Sequence, residues 1–98
     1  MTEYHEALII GAGPAGLTGG IYLKRAGIDA VLVEKMISGG TPMKYDFVEN
    51  YPGFPEGIPS KELMGRMTDQ AKHFGLPIVE FSGIDEITIR DGRFHVAA

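Results

Sequence analysis

Apolar and polar positions along the chain follow two periods. Ala7-Leu8-Ile9-Ile10 and Val31-Leu32-Val33 are short apolar runs that read as strands. Between them the spacing predicts a helix, with Pro14 in its first turn and Gly16, Gly20, Leu23 and Gly27 along one face. A second helical stretch runs from Ser60 to about Phe74, where Leu63, Met64, Met67, Ala71 and Phe74 recur at helical spacing. Ser60 is expected to cap it, with Pro59 before it and Gly75 ending it. Residues 76–81 read as a short third strand with Pro77 near its start. Residues 84–90 and 93–96 alternate loosely around Asp91-Gly92, a strong hairpin signal.

The first strand runs straight into Gly11-x-Gly13-x-x-Gly16, and the second strand ends on Glu34. A glycine fingerprint alone is weak evidence. Here the strand before it, the helix after it and the acid closing the next strand agree on a dinucleotide-binding unit. Gly11 permits the tight turn out of the strand, Gly13 lets the backbone approach phosphate, and Gly16 lets the helix pack on the sheet. The helix N-terminus offers free N–H groups and partial positive charge to an anion, so no lysine is needed. Glu34 can accept hydrogen bonds from both ribose hydroxyls and would repel a 2′-phosphate, which favours FAD or NAD over NADP. Of the two mid-helix glycines, Gly20 shares the Gly16 face and is expected to pack closely, whereas Gly19 does not. The fold class expected is α/β: a Rossmann-like βαβ half-domain with a parallel sheet, a second helix and a C-terminal β-hairpin.

Residues 35–58 show no clear period and are rich in Gly and Pro. Such a long connection is usually functional or disordered. Its aromatics Tyr45, Phe47, Tyr51 and Phe54, with Met36 and Met43, argue against disorder. A folded, aromatic-rich excursion favours a larger, flat ligand such as a flavin.

Ninety-eight residues allow one small domain, and a composition 44% apolar and 22% charged is globular. A net charge of −4 argues against nucleic acid or an anionic membrane surface as partner. No apolar run approaches a membrane span, and the first strand begins too near Met1 for a signal peptide. A cytoplasmic protein is therefore expected. The absence of cysteine excludes disulfides, thiol redox centres and cysteine metal sites from these residues. His5, His73 and His95 are scattered without metal-ligand spacing and are expected to be surface or structural imidazoles. Asp85, Glu86 and Asp91 are expected to be solvated edge and turn charges. No residue reads as an acid, base or nucleophile, so none is expected to be catalytic.

The stretches GAGPAGLTxxIYLKRAG, VLVEKMISGG and VENYPGFPEGI together resemble the N-terminal FAD-binding segment of low-molecular-weight thioredoxin reductases. The resemblance runs from about His5 to Val96, and Gly39-Gly40 with Glu49-Asn50-Tyr51-Pro52-Gly53-Phe54 are its most specific parts. It implies that Gly11, Ala12, Gly13, Pro14, Ala15 and Gly16 wrap the FAD pyrophosphate. Glu34 and Lys35 would lie at the adenosine, Gly39 and Gly40 along the ribityl and pyrophosphate region, and Asn50 at the isoalloxazine. Two positions depart from the pattern. Gly19-Gly20 stand where the family often has alanines, and Thr41 where it often has glutamine, leaving one short hydroxyl for any flavin contact there.

The resemblance further implies a homodimeric enzyme that passes electrons from NADPH through FAD to a disulfide of a thioredoxin-like protein. The NADPH domain, with its Cys-x-x-Cys pair, and the returning segment of the FAD domain are not among these residues. Residues 1–98 are thus expected to be an incomplete FAD-binding domain, inactive alone. Three alternatives stay open at this level. One is a ferredoxin- or flavodoxin-NADP reductase without redox cysteines. Another is a stand-alone dinucleotide-binding module without catalysis. The third is a nonfunctional remnant that folds poorly and binds nothing.

Overall fold

Residues 2–39 and 46–98 are described by a computed structural model. Along them the chain runs β1 (Ala7–Ile10), α1 (Pro14–Arg25), β2 (Ala30–Val33), β3 (Phe47–Val48), β4 (Ile58–Pro59), α2 (Ser60–His73), β5 (Ile78–Val79), β6 (Glu86–Arg90) and β7 (Arg93–Ala97). The architecture is the α/β arrangement that the apolar pattern predicts. A three-stranded parallel sheet has the order β1-β2-β5, two helices accompany it, and an antiparallel hairpin closes the chain.

Strand pleating sorts the side chains into two sets. Ala30 and Leu32 on β2 are fully buried in a core with Leu17 of α1, Leu63, Met64 and Ala71 of α2, and Leu76. Ala7, Ile9 and Ile78 pack against the same core. Leu8, Ile10, Val33 and Val79 belong to the opposite face, where they line an open groove with Ile84 and the hairpin. Ile10 is 55% exposed and Val79 45% exposed. Parallel strands normally carry cover on both faces; here the helices cover one.

Gly20 brings α1 against the core. A β-carbon at that position would strike the side chain of Leu76, whereas one at Gly19 would meet nothing within 4 Å. The close-packing reading therefore holds for Gly20 and not for its neighbour. Gly27 departs from expectation. It does not extend the packed face but stops the helix, with φ +76°. The Gly27 N–H donates to the Lys24 carbonyl and the Ile28 N–H to the Leu23 carbonyl, both at 3.0 Å. That pair of bonds is a Schellman ending, and it supplies partners for carbonyls the helix leaves open. α2 ends the same way, through Gly75 to Lys72 and Leu76 to Ala71.

Ser60 does not cap α2. Pro59 holds the N-cap position and Ser60 is the first helical residue. The Ser60 N–H instead donates to the Asp46 carbonyl at 3.1 Å. Its buried hydroxyl has no hydrogen-bond partner among the described residues. The third strand is also shorter than residues 76–81. Leu76 belongs to the helix ending, and Phe81 turns left-handed at φ 56°. The hairpin turn falls at Asp91 and Gly92, both at positive φ (54° and 72°), as a type I′ turn requires. Its second strand runs one residue beyond the expected end, to Ala97.

Part of the excursion between β2 and α2 is ordered by its own contacts. Phe47 pairs with Pro59 and Val48 with Ile58 in a short antiparallel ladder. The Tyr51 and Phe54 rings lie 6.3 Å apart, and the Arg66 guanidinium sits 5.9 Å from the Phe54 ring centre.

Candidate cofactor-binding site

All three parallel strands end at one edge of the sheet, at Ile10, Val33 and Val79. In open α/β sheets, ligands bind outside that carboxyl edge. The loops that leave it are Gly11–Gly13, residues 34–39 and residues 80–83. The Gly11 N–H donates to the Val33 carbonyl at 2.8 Å, so the glycine turn begins while still tied to β2. Gly11 has φ +102°, a conformation that L side chains rarely adopt. Gly16 meets the opposite demand, because a β-carbon there would run into the Gly11 carbonyl oxygen. The first turn of α1 is thereby pressed onto the loop it grows from.

Gly13 is the N-cap of α1 and Pro14 follows it, with no side-chain cap and no acid in the first turn. The first backbone N–H groups of the helix therefore have no side-chain cap, and no acid within the first turn offsets the dipole. That donor set suits a pyrophosphate.

Ala12 is the hub of the site. Its N–H donates to Glu34 Oε1 at 2.8 Å, and its carbonyl accepts the Gly39 N–H at 2.7 Å. Glu34 Oε2 accepts the Met36 N–H at 2.8 Å. The half-buried Glu34 carboxylate is thus held by two backbone donors, one on each loop. Each carboxylate oxygen keeps acceptor capacity for a ribose hydroxyl. The loop after β5 braces the site from below: Ser82 N–H donates to the Glu34 carbonyl at 2.8 Å and Phe81 N–H to the Met36 carbonyl at 3.0 Å.

The sequence-expected residues distribute as follows. Gly11, Ala12, Gly13, Pro14, Ala15, Gly16, Glu34 and Gly39 come together at this edge. Lys35 is exposed beside them, its Cγ 3.7 Å from where a β-carbon on Gly83 would stand. Asn50 is exposed in the turn after β3, with no hydrogen bond to the glycine loop among the described residues. Gly40 and Thr41 lie outside the described residues. Ser38, Thr68 and Glu80 were not singled out from the sequence, yet Ser38 is bonded to both of the others. The Ser38 N–H donates to Glu80 Oε2 at 2.7 Å, and the Ser38 and Thr68 hydroxyls are 2.9 Å apart.

A protein family described as "FAD binding domain" matches residues 4–42, a stretch that includes β1, α1 and β2. A thioredoxin reductase of Bacillus subtilis is 40% identical over 93% of this chain. One of Mycolicibacterium smegmatis is 49% identical over 71% of it. The chain matches the N-terminal FAD-binding segment of thioredoxin reductases. The crystal structure of the Lactococcus lactis thioredoxin reductase superimposes on 96% of the chain with a TM-score of 0.89 at 28% identity. This thioredoxin-reductase-like segment spans 28% of the Bacillus subtilis protein and 30% of the Lactococcus lactis chain. FAD is the cofactor that the matched family names, and the donor set at the α1 N-terminus has the chemistry to suit its pyrophosphate.

Proposed function

We propose that this chain supplies the adenosine-pyrophosphate half of an FAD site in a flavoprotein disulfide reductase. The observation that carries the reading is the junction at Ala12. There a glycine turn, an uncapped helix N-terminus and a pinned Glu34 carboxylate converge on one sheet edge. The α1 amides would hold the pyrophosphate, Glu34 the ribose and Lys35 the outer side of the adenosine. Gly39 and Gly40 would continue the cradle, with Thr41 and Asn50 toward the flavin ring. In the complete protein, bound FAD would carry electrons from NADPH to a disulfide of a thioredoxin-like partner. The chain itself supplies binding and orientation, and none of its residues is assigned to a chemical step.

The complete protein is proposed to be a cytoplasmic homodimer. Residues 1–98 would be the first part of its FAD-binding domain. The bare apolar face of the parallel sheet supports that reading, since a further segment would cover Ile10, Val33 and Val79.

The experiment is a titration of FAD against this chain, read by quenching of flavin fluorescence, beside a Gly13→Leu variant. Saturable quenching that the variant abolishes is expected. Equal affinity in the two proteins would show that the glycine loop is not the ligand site.

A further inference from the structure

The loop that carries Gly39 is held by two side chains distant in sequence. Glu80 accepts the Ser38 N–H at 2.7 Å from just past the end of β5. Thr68, midway along α2, exchanges a hydroxyl hydrogen bond with Ser38 at 2.9 Å. The next residue, Gly39, donates its N–H to the Ala12 carbonyl at 2.7 Å. Ser38 and Thr68 are both half-buried, so their hydroxyl pair is shielded from competing water. Ser38 therefore ties α2 and the end of β5 to the loop whose next residue, Gly39, meets the first glycine loop.

We propose that Ser38 is a positioning residue for the adenosine-pyrophosphate half of the site. Held by Glu80 and Thr68, it fixes Gly39 against Ala12 before ligand arrives. The identity of the ligand rests on the FAD reading above; the clamp itself rests on the hydrogen bonds alone. A loop ordered in advance loses less conformational freedom on binding, so the clamp contributes affinity without touching the ligand.

The test uses the 98-residue chain with Ser38→Ala, Thr68→Val, the double variant, Thr68→Ser and Glu80→Ala. Two readouts are taken: amide hydrogen exchange at Gly39 by NMR, and titration with FAD and with ADP. In Ser38→Ala and Thr68→Val, Gly39 exchange should rise and affinity for both ligands should fall roughly five- to tenfold. The double variant should be no worse than either single one, because both remove the same bond. Thr68→Ser keeps the hydroxyl and should restore both readouts. Glu80→Ala alters an exposed side chain, leaves folding intact and should loosen Gly39 in the same sense.

Unchanged Gly39 exchange and unchanged ADP affinity in Ser38→Ala would overturn the proposal. So would additive losses in the double variant, or no recovery in Thr68→Ser. If the unmodified chain binds neither FAD nor ADP, the functional reading falls and Gly39 exchange alone decides the clamp. Faster exchange in both single variants supports it, and unchanged exchange sinks it.

Discussion

Single atoms decide much of this site. A methyl group at Gly16 would occupy the space of the Gly11 carbonyl oxygen, and backbone cannot swing aside as a side chain can. Gly16→Ala should cost about 1–3 kcal/mol in chemical denaturation and weaken FAD binding, because the loop and helix must separate. Gly19→Ala meets nothing within 4 Å and should instead stabilise by roughly 1 kcal/mol, as expected for glycine inside a helix. Equal effects of the two substitutions would contradict the packing described.

Glu34 is a second such position. Glu34→Gln offers one acceptor oxygen where two backbone donors now converge, and its amide group would face an N–H. A loss of about 1–3 kcal/mol in stability is expected, with weaker FAD binding. Glu34→Arg should weaken FAD further, and tighter binding would refute the ribose assignment.

At the scale of elements, the entry to β1 carries a pH-dependent tie. His5 Nδ1 lies 3.1 Å from Asp29 Oδ1, and Nε2 lies 3.2 Å from Glu3 Oε2. Both ring nitrogens can donate to carboxylates only when the imidazole is protonated. The Asp29 hydrogen bond first, and then that of Glu3, raises the His5 pKa above its ordinary value near 6.5. A raised folded-state value means the stabilisation is fully present below the unfolded pKa and is lost as pH rises through the folded one. The melting-temperature difference between the unmodified chain and His5→Gln should therefore shrink as pH climbs from 6 to 8. A difference that grew over that range would reverse the assignment. The start of α2 offers a contrasting case. Ser60→Ala removes a buried hydroxyl that bonds to none of the described residues, so Tm should stay level or rise. A clear fall would reveal a partner for that hydroxyl.

For the whole molecule, the consequence lies in the two faces of the sheet. One is packed by α1 and α2, while the other presents Leu8, Ile10, Val33 and Val79 to an open groove. The hairpin adds Phe94, 74% exposed, and Ile87, 48% exposed. Contiguous apolar surface of this kind marks a site that something should cover. The isolated chain should bind a hydrophobic dye or self-associate at micromolar concentration. Ile10→Lys with Val79→Lys should suppress both behaviours while leaving the α1–α2 side intact. A monomeric chain that binds no dye would show that the groove closes in solution.

The local signals in this chain were strong where chemistry and geometry act within a few residues. Apolar runs, the Gly11-x-Gly13-x-x-Gly16 spacing and Asp91-Gly92 foretold both helices, the parallel strands, the hairpin turn and the edge that carries the glycine loop. Capping was less legible: Ser60 suits an N-cap by type, but the carbonyl of Asp46 meets its N–H instead. That substitution depends on where β3 comes to rest, which no local pattern encodes. The same holds for the site's bracing. Ser38 meets Glu80 and Thr68 because β5 and α2 fold back beside β2, and nothing near Ser38 in the chain announces those partners. Residue types and spacings along the chain determined the glycine turn and the helix start that follows it, because both are short-range structures. Only the tertiary structure decided how that loop is held and which face of the sheet is left bare, because both depend on contacts between segments far apart in sequence.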